Sequence, residues 1–337
     1  MSLSAGLDLG GTKLLAALVD DEGRILARIE KPTDKQAPGA EVKGAIEELA
    51  GQASEPIAGI GLAVAGFIEQ PSGRIAFAPN LPNVDHDLRE KIVSDFDAPV
   101  ILENDANAAT WAESRFGAGK GTRDMIMVTV GTGLGGGIVA DGKLYRGSRG
   151  FAAEFGHIVG MVGGPPCPCG SAGCFEAIAS GKAMERLARE KAARNGASAV
   201  LEMAGGDPER ITGHMIHDAL KQGDSFAQEL FDELGHNLAL GLAGLAHAFD
   251  PEVIVVGGGV AEAGDALLEP ARRGLAERFE GKVSPPPIVA ATMGNDAGAI
   301  GAASLAALAG EASKPEASKP EASKREASKP EASKGKD

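Results

Sequence analysis

Three glycine-rich turns, an amide-acid pair and a cysteine cluster are the parts of this sequence whose residue types and spacing could do chemistry. The first turn, Asp8, Leu9, Gly10, Gly11, Thr12 and Lys13, sets a carboxylate at a strand end and then offers unhindered backbone amides, a hydroxyl and an ammonium. Such a set suits a phosphate and its magnesium ion, because the amides converge on the anion while the carboxylate serves the cation. A plain hairpin in which Asp8 satisfies the turn is the other reading of this segment. The second turn, Gly131, Thr132, Gly133, Leu134, Gly135 and Gly136, spells G-x-G-x-x-G after a strand-like run. The dinucleotide motif of that spelling needs a helix to begin inside it, whereas the residues that follow continue as a hairpin, so a second phosphate loop is expected instead. Gly257, Gly258 and Gly259 form a third cluster after a buried strand. They are expected to face an adenosine held across a cleft, or else to be small for packing at a strand-to-helix turn. Gly119 and Lys120 are followed by Gly121, so the chain lacks a Walker A loop.

Asn104 and Asp105 directly follow an apolar run, Val100 to Glu103, at the strand end where open α/β sheets gather ligand-binding groups. A carboxylate there can take the proton of a hydroxyl attacking a γ-phosphorus. It can equally be the N-cap of the helix that begins at this point. Glu154 and His157, three apart, share one side of a helical turn. Cys167, Cys169 and Cys174 follow closely and, with His157, supply the four ligands of a tetrahedral Cys3His zinc site with no open position. Such a zinc is structural, and it would pin a proline- and glycine-rich loop that has no core of its own. Bound through one ring nitrogen, His157 keeps the other for a hydroxyl in a pocket, and Glu176 is carried to the same place.

The elements that must position these groups read as α/β. Strands are expected at Leu3 to Leu9, Leu14 to Asp20, Arg24 to Lys31, Ile57 to Ala65, Arg74 to Ala78 and Val100 to Glu103, with helices near Ala40 to Ala53, Asp87 to Phe96 and from Asp105. Met125 to Val130 then restarts the plan of strand, glycine turn, strand, acidic-glycine turn and strand. That repetition predicts two similar lobes facing a cleft. The second half is mostly helical, with a long amphipathic helix at Ser225 to Phe249, strands at Val253 to Val256 and Ile288 to Ala291, and a last helix from Asn295 to Leu308. The expected division is a small α/β domain over 1–115, joined by 295–310, a large α/β domain over 116–294 with the zinc loop at 157–176, and a low-complexity tail at 311–337. The tail repeats Glu-Ala-Ser-Lys-Pro and reads as disordered.

Composition sets the outer bounds. With 337 residues and 43% hydrophobic content the chain can bury two cores. Its formal charge of −14 argues against a general attraction to nucleic acid or anionic membranes, and aromatics at 4% leave little for base-stacking platforms. Three cysteines in one short stretch suit a reduced, metal-binding site better than disulfides. With neither a signal segment nor a run of 18 apolar residues, the chain is expected to be cytoplasmic.

The run Asp-Leu-Gly-Gly-Thr-Lys, Glu-Asn-Asp-Ala-Asn-Ala-Ala, Gly-Thr-Gly-Leu-Gly-Gly-Gly, Glu-Phe-Gly-His and Cys-Pro-Cys-Gly-Ser-Ala-Gly-Cys-Phe-Glu-Ala resembles the ROK family (repressors, open reading frames and kinases). The resemblance covers nearly everything before the tail, and the pattern is most similar to the family's bacterial glucokinases. It implies the two-lobed actin-like (ribonuclease H-like) ATPase fold, Mg-ATP as donor, glucose as acceptor and a homodimer or homotetramer. It also implies that Asp105 is the catalytic base and that Asn80, Asn104, Asp105, Glu154, His157 and Glu176 bind the hexose, with a backbone contact from Gly66. The nucleotide would fall to Asp8, Gly10, Gly11, Thr12 and Lys13, to Gly131, Thr132 and Gly133, and to Gly257, Gly258 and Gly259. The same motifs serve kinases of N-acetylmannosamine, N-acetylglucosamine or fructose. The family's sugar-sensing repressors carry a helix-turn-helix ahead of the first loop, for which Asp8 leaves no room.

Overall fold

The computed structural model describes residues 2–195, 198–281 and 283–312. The chain opens with β1 (Leu3–Leu9), β2 (Lys13–Asp20) and β3 (Ile25–Pro32), α1 (Pro38–Gln52), β4 (Ile57–Val64), β5 (Phe67–Glu69), β6 (Arg74–Phe77), α2 (Leu88–Asp95), β7 (Val100–Asn104) and α3 (Asp105–Arg115). It restarts with β8 (Met125–Val130), β9 (Leu134–Ala140) and β10 (Lys143–Leu144). The helices α4 (Phe175–Ala179), α5 (Gly181–Asn195), α6 (Ala199–Met203), α7 (Gly213–Lys221) and α8 (Ser225–Phe249) follow, then β11 (Val253–Gly257), α9 (Asp265–Phe279), β12 (Ile288–Ala290) and α10 (Ala297–Ala312).

The two five-stranded sheets have the same order, β3-β2-β1-β4-β7 and β10-β9-β8-β11-β12. In each, the first three strands are an antiparallel meander and the remaining two run parallel to the first. The repetition legible in the sequence is therefore a repetition of topology. The parallel centre strands are apolar on both faces, as at Met125–Val130 and Val253–Gly257, because each lies between covering layers. The short β5–β6 ribbon was not separated in the sequence, where only Arg74 to Ala78 reads as a strand. The last helix runs through Ala312, past the expected start of the tail at 311, and the rest of that tail lies outside the described residues.

Each sheet has its own core, and a third apolar cluster lies between them. The third joins β2 (Leu15, Ala17, Val19) through α3 (Trp111, Ala112) and α10 (Ile300, Ala303) to β8, β9 and β11 (Met127, Val139, Val255). Helices α3 and α10 are thus the filling between two sheets. Their approach is unusually close. A Cβ on Gly61 would lie 1.9 Å from the Ala302 carbonyl oxygen, one on Gly6 1.9 Å from that of Ala299, and one on Gly301 1.8 Å from that of Ala108. The obstruction is backbone in every case, so only glycine lets the layers meet.

Gly61→Ala is expected to destabilise the fold by about 1–3 kcal/mol through overpacking. Gly44, exposed in the middle of α1 with nothing near its missing Cβ, is the control. Gly44→Ala should stabilise by about 0.5–1 kcal/mol. Urea unfolding of both variants checks the pair, and a neutral Gly61→Ala would refute the close-approach argument.

Candidate functional site

Strand β7 ends at Asn104 and α3 begins at Asp105, and that corner is built by Asn104. Its Oδ1 accepts from Asn107 N at 3.0 Å, so the N-cap is Asn104 rather than Asp105. The Asn104 Nδ2 donates to Gly66 O and to Asp105 Oδ1, both at 3.1 Å. Ala106 N donates to the same Asp105 oxygen at 2.9 Å. Asp105 therefore stands in the first turn of α3, held through one carboxylate oxygen, and burial raises its pKa above the usual carboxylate range.

Two cavities meet at this corner and a third adjoins one of them. One, of about 300 Å³, is lined by Gly66, Asn80, Asn104, Asp105, Glu154, His157 and Glu176, the whole set expected to read a sugar. Gly133, Gly135 and Gly136 form its far wall. A second, of about 360 Å³, is lined by Asp8, Asp105, Thr129, Gly257, Gly258, Glu262, Asn295 and Gly298 among others. A third, of about 340 Å³, is lined by Gly131, Thr132, Lys182, His214, His217, Gly259 and Glu262. Asp105 and Ala106 belong to both of the first two, and Glu262 links the second to the third. All three have the size of small-molecule sites, roughly 300–1,000 Å³.

The glycine turns divide their work. Gly131 and Thr132 reach the third cavity, but Gly133 lines the first, where a Cβ would stand 2.4 Å from Glu176 Oε2. That same oxygen accepts from Leu134 N at 2.9 Å, so Glu176 buttresses the turn. Gly136 and Gly137 already belong to β9 and are small because Phe155 and Thr110 pack on them. Gly258, at φ 90°, sits against the Val130 backbone and needs to be glycine. Gly10 N donates to Lys13 O at 3.0 Å to close the first turn, and Gly11 packs on Asn80. Gly10, Gly11, Thr12 and Lys13 line none of the three cavities, and Lys13 is 3.8 Å from Glu30.

Asp8 faces Asp105 in the second cavity. Burial first, and then the neighbouring Asp105 charge, push its pKa from 3.8 to about 7, against a smaller opposing pull from Lys13. Glu154 is raised as well, mainly by burial, with Asp105 and Glu176 adding to the rise and His157 opposing it. The site is a cluster of carboxylates short of positive charge, the electrostatics expected of a place completed by a cation or by protons.

The sequence reading missed Thr129, Glu262, Asn295 and Gly298 of the second cavity and Lys182, His214 and His217 of the third. Thr129 had a signal, being the polar residue in the Met125–Val130 run. The others sit on helices and loops that only the fold brings to the cleft.

Beside the first cavity the ligand atoms of His157, Cys167, Cys169 and Cys174 lie within 4.8 Å of one another. Cys169 and Cys174 sulfurs are 3.7 Å apart, and Cys167 Sγ is 3.9 Å from His157 Nδ1. Tetrahedral zinc with bonds of about 2.3 Å to sulfur requires S···S edges of about 3.8 Å, so the donors fit that ion. Nδ1 faces the thiols, which leaves Nε2 as the ring nitrogen free of the cluster, on a residue that lines the first cavity.

The ROK family model matches residues 4–308. A glucokinase of Streptomyces coelicolor is 41% identical over 312 residues, 91% of this chain and 98% of that protein. A Thermotoga maritima glucokinase is 37% identical, over 89% of this chain and 96% of its own length. The crystal structure of a ROK family glucokinase from Streptomyces griseus in complex with glucose and AMPPNP superposes with a TM-score of 0.80 at 40% identity, covering 90% of this chain and 99% of that one. The fold is thus the actin-like ATPase fold expected from the sequence. Among the described residues no helix is long and apolar enough to cross a membrane.

The Asp8 shift has a stability consequence. Its folded value of about 7 lies above the unfolded 3.8, so between those limits the folded state keeps a proton the unfolded chain has lost. The stability this contributes is complete below the unfolded value and is lost as pH rises through about 7, at up to about 1.4 kcal/mol per unit. In magnesium-free buffer the melting temperature should fall from pH 5 to pH 8, and Asp8→Asn should flatten that fall. The raised Asp105 and Glu154 act in the same direction and leave a residual slope. An unchanged slope in Asp8→Asn would contradict the assignment.

For the cysteine cluster, metal analysis of purified protein should return one zinc per chain. Cys174→Ser should lose it and unfold at lower temperature, whereas full zinc retention by that variant would exclude the four-ligand site.

Proposed function

The chain belongs to the ROK family, and on that premise we propose that it is an ATP-dependent glucokinase, moving the γ-phosphoryl group of Mg-ATP to the 6-hydroxyl of glucose. The observation that carries this reading is the position of Asp105, shared by a cavity of amides, carboxylates and an imidazole and a cavity of glycine amides and Asp8. A hexose is a ring of hydroxyls, and short amides and carboxylates read such a ring by directional hydrogen bonds. The third cavity continues the second and suits the nucleoside.

In the mechanism the sugar is held by Asn80, Asn104, Glu154, His157 and Glu176, with Gly66 supporting Asn104 through its carbonyl. Asp105, fixed through one oxygen by Asn104 and Ala106, takes the proton of the 6-hydroxyl as that oxygen bonds to the γ-phosphorus and the bond to the β-γ bridging oxygen breaks. Its raised pKa makes it the better proton acceptor once ionised. On closure of the lobes Gly11, Thr12 and Lys13 would join Thr132 and Gly257 to Gly259 in offering amides, hydroxyls and a charge to the phosphates, while the amides of Gly10 and Gly131 close their own turns, and Asp8 would serve the magnesium ion. Zinc, when bound, supplies rigidity to the 157–176 loop and orients His157.

We assign the closing units to 1–115 with 295–310 and to 116–294, and the assembly to a homodimer or homotetramer in the cytoplasm. Closure over the sugar excludes water and so limits hydrolysis of ATP.

Initial rates with Mg-ATP and glucose, mannose, fructose, N-acetylglucosamine and N-acetylmannosamine test the substrate, with glucose expected to lead. A different leading sugar keeps the mechanism and replaces the acceptor, and no turnover of any of them refutes the kinase. Asp105→Ala should lower kcat by about 10²–10⁴-fold. Calorimetry should place its glucose affinity within about tenfold of wild type. Equal losses of turnover and binding would make Asp105 structural.

A further inference from the structure

Glu103, the residue before the Asn104–Asp105 corner, is 1% exposed and carries a carboxylate whose two oxygens serve different lobes. Oε1 accepts from Asn104 N and from Asn107 Nδ2, both at 3.0 Å, and so faces the first turn of α3. Oε2 accepts from Arg146 Nε at 2.5 Å. Arg146 comes from the segment after β10, on the opposite lobe, and is its cationic partner among the described residues.

That segment crosses to the small lobe more than once. Gln70 N donates to Arg149 O at 2.9 Å, and the Phe151 ring stands edge-on to Phe67 at 5.7 Å. Within a few residues it reaches Glu154 in the sugar cavity. A carboxylate buried as far as Glu103 is stable only when paired, so withdrawal of the guanidinium as the lobes part would strand a charge one residue from Asn104.

We propose that Arg146 is a positioning residue for phosphoryl transfer: by neutralising Glu103 from the opposite lobe it fixes the Asn104–Asp105 corner in the closed cleft, tying the geometry of the base to closure. The inference rests on the kinase reading given above.

The test compares wild type, Arg146→Ala, Glu103→Gln and the double variant in steady-state kinetics and thermal unfolding. Arg146→Ala should lose about 10- to 100-fold in kcat with KM for ATP and sugar within about threefold, the split expected of lost geometry rather than lost binding. The double variant should regain most of that kcat, because a glutamine oxygen still accepts from Asn104 N and Asn107 Nδ2 while no charge is left unpaired. A raised sugar KM at unchanged kcat, or no recovery in the double variant, would overturn the proposal and leave the segment a simple strap. Should wild type turn over no sugar, the kinase reading falls by itself. The four melting temperatures then still decide the pairing: non-additive shifts support it and additive shifts refute it.

Discussion

Helix α10 lies against β1 and β4 at a distance only glycine permits, and much of the cleft follows from that contact. With Gly6, Gly59 and Gly61 bare on the strands, the helix backbone presses on the sheet, and with Gly301 bare on the helix, α3 presses in turn on α10. Where the two helices touch each other and the strands most closely the contacts are made by small residues, and their clusters are rich in alanine, with Trp111 and Ile300 filling the wider space between the sheets. The same approach sets Gly298 beside Asp8, where a Cβ would lie 2.4 Å from its carboxylate, and makes the start of α10 a wall of the second cavity. A packing rule in the core thus shapes the place where a nucleotide's phosphates are proposed to lie.

The two sheets repeat one topology, yet their first turns have diverged. Both turns span three residues, but after β1 Thr33 clamps the turn by donating through Oγ1 to Gly10 O at 2.7 Å. After β8 the turn is pinned from outside, by Gly181 N on Gly131 O at 2.8 Å and by Glu176 on Leu134 N. Residue 176 therefore faces two demands, holding a glycine turn and lining the sugar cavity. Through it the two proposed ligands share a structural element, which gives a physical route by which one could prepare the site for the other.

Much of this was legible in the sequence because its signals are local. The buried run at Met125–Val130, the long stripe of α8 and the acidic-glycine turn after β9 each reflect the environment of their own segment. The cysteine spacing was legible for the same reason. Other features depend on partners far along the chain. A glycine in 131–137 reads the same whether it faces a phosphate or a phenyl ring, and only the fold shows that Gly136 meets Phe155 and Gly137 meets Thr110. Asn104 and Asp105 are both good N-caps, and the choice between them was settled by the hydrogen bonds of the strand end. The pairing of Arg146 with Glu103 spans 43 positions and leaves no periodic trace.

The cysteine loop shows what a metal can do that a core cannot. Between His157 and Cys174 the chain is mostly glycine, proline and small residues, with Val162 fully open to solvent, so burial offers it little. Its backbone hydrogen bonds, such as Gly160 N and Met161 N on Gly173 O, mostly close the loop on itself, with Phe175 N on Ile158 O joining its base to α4. Four ligands on one zinc would remove that freedom, and because Cys174 leads directly into α4, they would fix Glu176 as well. His157 is bound to the same cluster through Nδ1. One ion would therefore hold two of the residues that line the sugar cavity in a fixed relation to each other, at a place where the large apolar side chains, Ile158, Val159, Met161 and Val162, are exposed rather than packed.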